Sequence, residues 1–405
     1  MSLLHLQLAS ITEKHIQNLI DGNVAESRNV EYKRELYGQS DADHAEWLAD
    51  LSSFANTAGG DIIFGIEAKA GVPIKICSLS VSLDPVILKL EQIAQANLQP
   101  RVVGLEFKAV EIASGGQILI VRIPRSYNPP HRIVRQGKGQ NRFWARSSAG
   151  KYEPNVDELR LLFTFAPQIS ERMRNWRFNR ISAIVADDIP VQLIDRTCLI
   201  LHLIPFSSFD PAAVISLGNT AEQAMHWAPI GTNSPQNWRT NFDGLLLTSN
   251  AELNATSQRA YTQVYRSGRV EAVASSIASG DRPQGVPPRL QTMKLEGLVL
   301  NTLTRYLKAF QAQAIEPPYA MMISLTGVKG AMINVGATQQ WHGEDDMAVL
   351  DRDQYHFSEV ILESVPHDVQ ECAGLIRPFI EQLANLAGHP TSTSFDQNGN
   401  YVRHR

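Results

Sequence analysis

The residues best equipped for chemistry in this 405-residue chain lie near its start. Glu26-Ser-Arg-Asn-Val-Glu31-Tyr-Lys33 is followed by Phe54-Ala-Asn-Thr-Ala-Gly-Gly60-Asp-Ile-Ile-Phe-Gly-Ile-Glu67. Three carboxylates and a lysine thus surround a Gly-Gly turn that leads into an apolar strand. Oxygen ligands hold Mg²⁺ or Mn²⁺, and an ammonium offsets phosphate charge. If Glu26, Glu31 and Glu67 meet, the chemistry expected is metal-assisted hydrolysis of a phosphodiester, with Lys33 neutralising the scissile phosphate. The same spacing also suits ordinary surface acids paired with Arg28, Lys33 or Arg34, because structural ion pairs gather charge too.

Local elements must hold these groups. Asn29 to Tyr32 has the partly β-branched character of a strand start, where Glu31 and Lys33 share a face because side chains alternate with period two. Trp47, Leu48, Leu51 and Phe54 recur at helical spacing and predict a helix from Ala45 to Ala55, with Asp41 or Asp43 as N-cap. Ala58-Gly59-Gly60 ends that helix. Ile62, Ile63, Phe64 and Ile66 form a buried strand with Glu67 at its exit.

Charge is segregated further along. Between Glu111 and Glu153 there is no acid, whereas Arg122, Arg125, Arg132, Arg135, Lys138, Arg142, Arg146 and Lys151 all fall inside. Tyr127, His131, Phe143 and Trp144 are interleaved with them. Guanidinium groups bind phosphate through paired hydrogen bonds, and rings stack on unpaired bases. The segment therefore reads as a nucleic-acid footprint despite a net charge of −4. Its plainer reading is a loop whose arginines pair with acids elsewhere. Arg142 and Arg146 are expected to be exposed, and Phe143 or Trp144 to be core.

These motifs together resemble the Schlafen-type, AlbA-like domain over roughly residues 20 to 165. The quoted acidic motif, the Phe54–Glu67 stretch, Arg122 to His131 and Arg142 to Lys151 carry the likeness. The resemblance implies an α/β nucleic-acid-binding domain. In its ribonuclease branch, three acids hold a metal and cut structured RNA such as tRNA, in some cases in defence. Glu26 and Glu31 match two of those acids. Glu67 corresponds best to a third that is usually Asp. Other relatives are described only as DNA- or RNA-binding regulators, sensors or nucleotide binders. No Walker A sequence occurs in this chain, which argues against nucleotide hydrolysis. Vertebrate Schlafen cores have two related lobes, and only one copy of the motif occurs here. The resemblance therefore implies a homodimer.

Length predicts two domains. The fold class expected is α+β: an AlbA-like domain over 1–168, a basic connector over 169–182 and a mixed α/β domain over 183–405. Pro167 is read as lying after the end of a helix running from Val156 to Phe165. Three scattered cysteines, Cys77, Cys198 and Cys372, argue for a reducing cytoplasm. No run is long enough for a membrane span, and Met1 to Ser10 lacks the basic start of a secretory signal. In the second half, His342, Glu344, Asp345 and Asp346 read as an acidic loop, and His202 as a core histidine. That half is expected to sense, scaffold or dimerise.

Overall fold

The computed structural model describes residues 3–135, 137, 140–210, 214–251, 257–275, 277–278, 287–334 and 347–402. Lys138 and the cluster His342, Glu344, Asp345 and Asp346 lie outside the described residues. The chain divides into two compact units, 1–170 and 171–405, and mixes helices with sheets in both.

The first unit is built on a β-α-β crossover. Strand β1 (Val30–Lys33) runs parallel to β2 (Gly60–Phe64), and the helix α2 (Asp41–Ala55) joins them. Ser40, rather than Asp41 or Asp43, is the N-cap, and Asp43 closes a reciprocal capping box with it. Before this unit comes α1 (Glu13–Asp21). After it come a hairpin of β3 (Ile66–Lys69) and β4 (Val72–Ile76), then α3 (Asp84–Asn97) and β5 (Leu98–Gln99). Next are β6 (Glu106–Glu111), β7 (Gln117–Ile123), β8 (Arg132–Ile133), β9 (Ala145–Ser147) and β10 (Gly150–Tyr152). The main sheet has the order β1-β2-β7-β6.

Strand alternation splits the core between two faces. Ile62, Phe64, Leu119, Val121 and Ile123 pack with Trp47, Leu48, Leu51 and Phe54 of α2 and Leu90 of α3. Ile63, Ile118, Ile120, Val30 and Tyr32 pack with Leu3, Leu8, Ile16 and Leu19 on the other side. Tyr32 belongs to the α1 side, so Glu31 and Lys33 must turn to the α2 side.

A single helix, α4 (Val156–Val185), carries the chain from the first unit into the second. It runs through Pro167, where the sequence reading ends it. Proline removes one backbone donor and crowds the carbonyl four residues back, yet the helix goes on past it, and Ile169 and Met173 just beyond are buried.

The second unit centres on an antiparallel sheet of eight strands. Its members are β11 (Cys198–Pro205), β12 (Asn237–Thr240), β13 (Gly244–Thr248), β14 (Ala260–Tyr265), β15 (Val270–Ser275) and β17 (Tyr319–Thr326), with β20 (Gln354–His356) and β21 (Val360–Leu362) both on β17. The order is β12-β13-β14-β15-β11-β17-β20. A smaller sheet joins β16 (Arg289–Gln291), β18 (Met332–Asn334) and β19 (Ala348–Val349). One sheet face holds the large core with α6 (Thr292–Ala312), α7 (Val369–Leu375) and α8 (Arg377–Leu386), which follow the short helix α5 (Leu217–Glu222). Against the opposite face lie Ile181 and Ile184 of α4.

Candidate functional site

A strand, a helix and a hairpin of the first unit each present a pair of charges to one point. Glu31 and Lys33 are two apart on β1. Glu46 and Asp50 are one turn apart on α2. Arg146 and Lys151 are direct cross-strand partners on β9 and β10. Lys33 Nζ lies 3.1 Å from Glu31 Oε1, 3.2 Å from Asp50 Oδ2 and 3.5 Å from Glu46 Oε1. Lys151 Nζ lies 2.8 Å from Asp50 Oδ1 and 2.6 Å from Glu46 Oε1. Arg146 is ion-paired with Glu31, and its Nη1 stands 3.9 Å from Asp50 Oδ1. Three acids and three bases therefore interleave.

Asp50 is the hub. Its side chain is buried, and it also accepts the Tyr37 hydroxyl at 2.7 Å. Burial, with Asp50 beside it, pushes the Tyr37 phenol well above its ordinary pKa. A buried carboxylate stays charged only when paired and hydrogen-bonded, and here four donor-bearing side chains surround it.

The Phe54–Gly60 motif builds this site from below without touching it as a phosphate loop. The Asn56 side chain accepts the His131 N–H at 2.7 Å and donates to the Trp144 carbonyl at 2.8 Å. Thr57 Oγ1 accepts the Arg146 N–H at 2.9 Å, and the Arg146 guanidinium sits 4.2 Å over the Phe54 ring. A Cβ on Gly60 would come within 2.5 Å of that ring and 2.6 Å of the Asn29 carbonyl. The glycine is there for close packing, and Gly59 for its φ of +68°.

The three predicted metal-ligating acids do not gather. Glu31 joins the Asp50 cluster. Glu26 Oε1 accepts the Tyr32 N–H at 3.1 Å and lies within electrostatic reach of Arg146. Glu67 belongs to the β3–β4 hairpin, with Lys75 Nζ at 3.3 Å, its cross-strand neighbour, and Arg34 Nη1 at 3.7 Å. The hydrogen bond from Lys75, foremost, holds the Glu67 carboxyl below its usual range. Among the described residues no group of three or more His, Cys, Asp or Glu can hold a metal ion. Where acids do converge, at Glu31, Glu46 and Asp50, lysine and arginine nitrogens stand between them. This donor arrangement does not fit Mg²⁺ or Mn²⁺.

Two arginines of the basic segment, Arg122 and Arg146, are turned inward. Arg122, directly opposite Asp61 on β2, is buried and holds that carboxylate through Nε at 2.9 Å and Nη2 at 3.0 Å. It also donates to the carbonyls of Leu6 at 2.6 Å and Leu3 at 3.0 Å, which ties the N-terminal segment to the sheet. Arg146 is buried rather than exposed as its strand pattern suggests, because its guanidinium fills the space between Glu31 and Phe54. Burial pushes it down to about 10, with Glu26 opposing. Arg135 pairs with Asp41 and Arg142 with Glu153, Arg132 Nη2 donates to Gln99 at 3.2 Å, and Arg125 lies 5.1 Å over Phe165. Arg142 is exposed as expected. Trp144 packs on the α2 core, and Phe143 meets the Phe163 ring at 5.8 Å.

Sequence reasoning missed Glu46 and Asp50. Two acids one turn apart were a signal, and Asp50 within Trp47-Leu48-Ala49-Asp50-Leu51 is a carboxylate in the helix's apolar stretch.

Residues 26–155 match the family model described as Schlafen, AlbA_2, so the first unit carries a Schlafen AlbA_2 domain. Solved structures similar to parts of the chain include the following two. The DIP2311 protein from Corynebacterium diphtheriae shares 17% identity over 38% of this chain, with a TM-score of 0.25, and 29% of its own length is covered. The N-terminal domain of a RecG-related protein from Nitrosomonas europaea shares 19% identity over 34% of this chain and 91% of its own, with a TM-score of 0.25. None of the curated proteins matches the chain. Among the described residues no helix is long and apolar enough to cross a membrane.

Proposed function

We propose that the first unit binds nucleic acid through its phosphodiester backbone at the Lys33–Lys151 cluster. The Schlafen AlbA_2 match supports a nucleic-acid ligand. The observation that carries the reading is the place of Glu46. Its carboxylate bridges Lys33 and Lys151 at 3.5 and 2.6 Å and is the exposed acid of the six, with its side chain 47% open. The two lysine side chains are 23% and 22% open, while Asp50 below them is buried. A phosphate oxygen can replace the Glu46 carboxylate as counter-anion without disturbing the buried charges. Glu46 then swings into solvent, at little cost for an exposed pair.

RNA with tRNA-like structure is the favoured ligand, acting in the cytoplasm. Metal-assisted hydrolysis finds no support in this arrangement, because the protein's own cations separate the acids that would hold the ion. The site works instead as a binder, and a regulator or sensor follows from that.

Fluorescence anisotropy with labelled tRNA, single-stranded DNA and duplex DNA tests this. Lys33→Ala and Lys151→Ala should each weaken binding several-fold, and Glu46→Gln should tighten it. Glu46 is exposed, so its variant keeps the fold and stays informative even if a lysine variant loses stability. Unchanged affinity in Glu46→Gln overturns the site.

A further inference from the structure

The free edge of the large sheet in the second unit is a surface for which the nucleic-acid site has no use. Strand β12 ends the eight-stranded order, and among the described residues no strand pairs with its outer side. Its direction of hydrogen bonding can be fixed. Asn241 N–H donates to Gly244 O at 2.8 Å across the hairpin, and β12 pairs with β13 in the register Thr240↔Leu245, Arg239↔Leu246, Trp238↔Leu247. Alternate residues of an antiparallel pair turn both backbone groups the same way. Arg239 therefore bonds inward to β13, and Trp238 and Thr240 point their N–H and C=O to the open side.

Such an edge is a template for another strand unless it is blunted by charged side chains, lysine above all, by proline or by a cover, and the one charge here is Arg239. Asn237 to Thr240 contains neither lysine nor proline. It carries instead a Trp238 that is 46% exposed, and Phe242 at the hairpin tip beside it is 93% exposed. Large aromatics left in water at a bonding-competent edge point to a partner.

We infer that this edge pairs with β12 of a second copy of the chain, antiparallel about a two-fold axis that sets Trp238 opposite Trp238. Charge narrows the register, and stacking of the exposed indoles selects it. A two-fold axis normal to the sheet must place some residue opposite itself, and centring it on Arg239 would set two guanidinium groups face to face, which is unfavourable. Centring it on Trp238 puts Arg239 opposite Asn237, whose side-chain oxygen can accept from it, and stacks two indoles. A second copy also fits better than a loose peptide. A flexible strand loses about 1–2 kcal/mol of backbone entropy per residue on ordering, while each hydrogen bond returns only about 1 kcal/mol. An edge of four residues offers too few bonds to order a peptide, whereas β12 is already ordered by β13.

The register makes the test specific, because directly opposed, hydrogen-bonded residues have Cα atoms about 5.5 Å apart, within reach of a disulfide. In the whole 405-residue chain with Cys77→Ser, the half-buried free thiol is removed while the buried Cys198 and Cys372 remain. Trp238→Cys should then give a covalent dimer under mild oxidation, and Arg239→Cys should give little. Sedimentation should show a dimer for wild type and a tenfold or greater weakening for Trp238→Lys and for Thr240→Pro, which removes an outward N–H. A wild-type monomer at about 100 micromolar overturns the proposal. So does a dimer that neither substitution weakens, or equal crosslinking at 238 and 239.

Discussion

Arg146 and Lys151 stand directly opposite each other on β9 and β10, and both reach the same buried carboxylate, Asp50. The hairpin that carries them is thereby fastened to α2 by charge as well as by packing, and the lysine of β1 joins from the far side.

Asp50→Asn should destabilise the first unit strongly. Removing one partner of a buried charged network costs about 3–5 kcal/mol, because the remaining charges lose their compensation. Chemical denaturation should find that loss. A change under about 1 kcal/mol would show that Asp50 is not the hub.

Chelation should leave nucleic-acid affinity unchanged. Lys33, Lys151 and Arg146 already neutralise Glu31, Glu46 and Asp50, so no ion is required for binding. Titration of tRNA with and without EDTA checks this. Loss of binding on chelation, or Mn²⁺-dependent cleavage that Glu31→Ala abolishes, would refute the binder reading.

Salt should weaken binding in proportion to the phosphates held. Each lysine that neutralises one phosphate contributes about 0.7–0.9 to the slope of log affinity against log salt. Lys151→Ala should lower the slope by about that amount, and an unchanged slope would remove Lys151 from the contact.

Stability should fall as the pH is lowered through about 6.5, the ordinary histidine pKa. Burial holds the imidazoles of His131 and His202 below their usual value. Below about pH 6.5 the unfolded chain takes up protons that the folded chain refuses, so the unfolded state gains. The slope is up to about 1.4 kcal/mol per pH unit for each histidine. In the second unit His202 Nε2 faces Glu271 at 3.2 Å, which also accepts from Arg180 at 2.8 Å and from Tyr261 at 2.8 Å. Burial pushes the Glu271 carboxyl up, but the hydrogen bonds from His202 and Arg180 outweigh it and leave it at about 2. Its own contribution is therefore present above the unfolded value and lost only in strong acid. His202→Gln keeps a donor for Glu271 and should flatten the curve below about pH 6.5. An unaltered curve would count against this assignment.

Gly60→Ala should cost about 1–3 kcal/mol through overpacking, because the added carbon meets the Phe54 ring and the Asn29 carbonyl. Wild-type stability in this variant would mean that the two elements can move apart.

Periodicity carried most of the first unit. The alternation at Val30–Lys33 placed Glu31 and Lys33 on one face, and the apolar spacing of Trp47, Leu48, Leu51 and Phe54 gave the helix above them. Three things were beyond local pattern. Arg146 looks like a solvent residue in its strand, and only the Thr57, Phe54 and Glu31 contacts from distant segments pull it inside. Arg122 reads as part of a basic patch, yet its cross-strand neighbour is Asp61, a pairing set by the order of β2 and β7. Glu67 follows its strand closely in sequence, but the glycine between β2 and β3 turns it to a hairpin of its own, where Lys75 meets it.

The passage of α4 across the unit boundary decides how this protein can be dissected. Arg177 and Arg180, which the composition marks as connector, belong to the interior of the second unit. Arg177 donates to the Ile323 carbonyl at 2.6 Å, and Arg180 grips Glu271. A fragment or chimaera cut at the apparent linker end, near 183, would leave Glu271 inside its own sheet without Arg180, with only His202 and Tyr261 for company. Modular exchange of the second unit has to take the helix tail along.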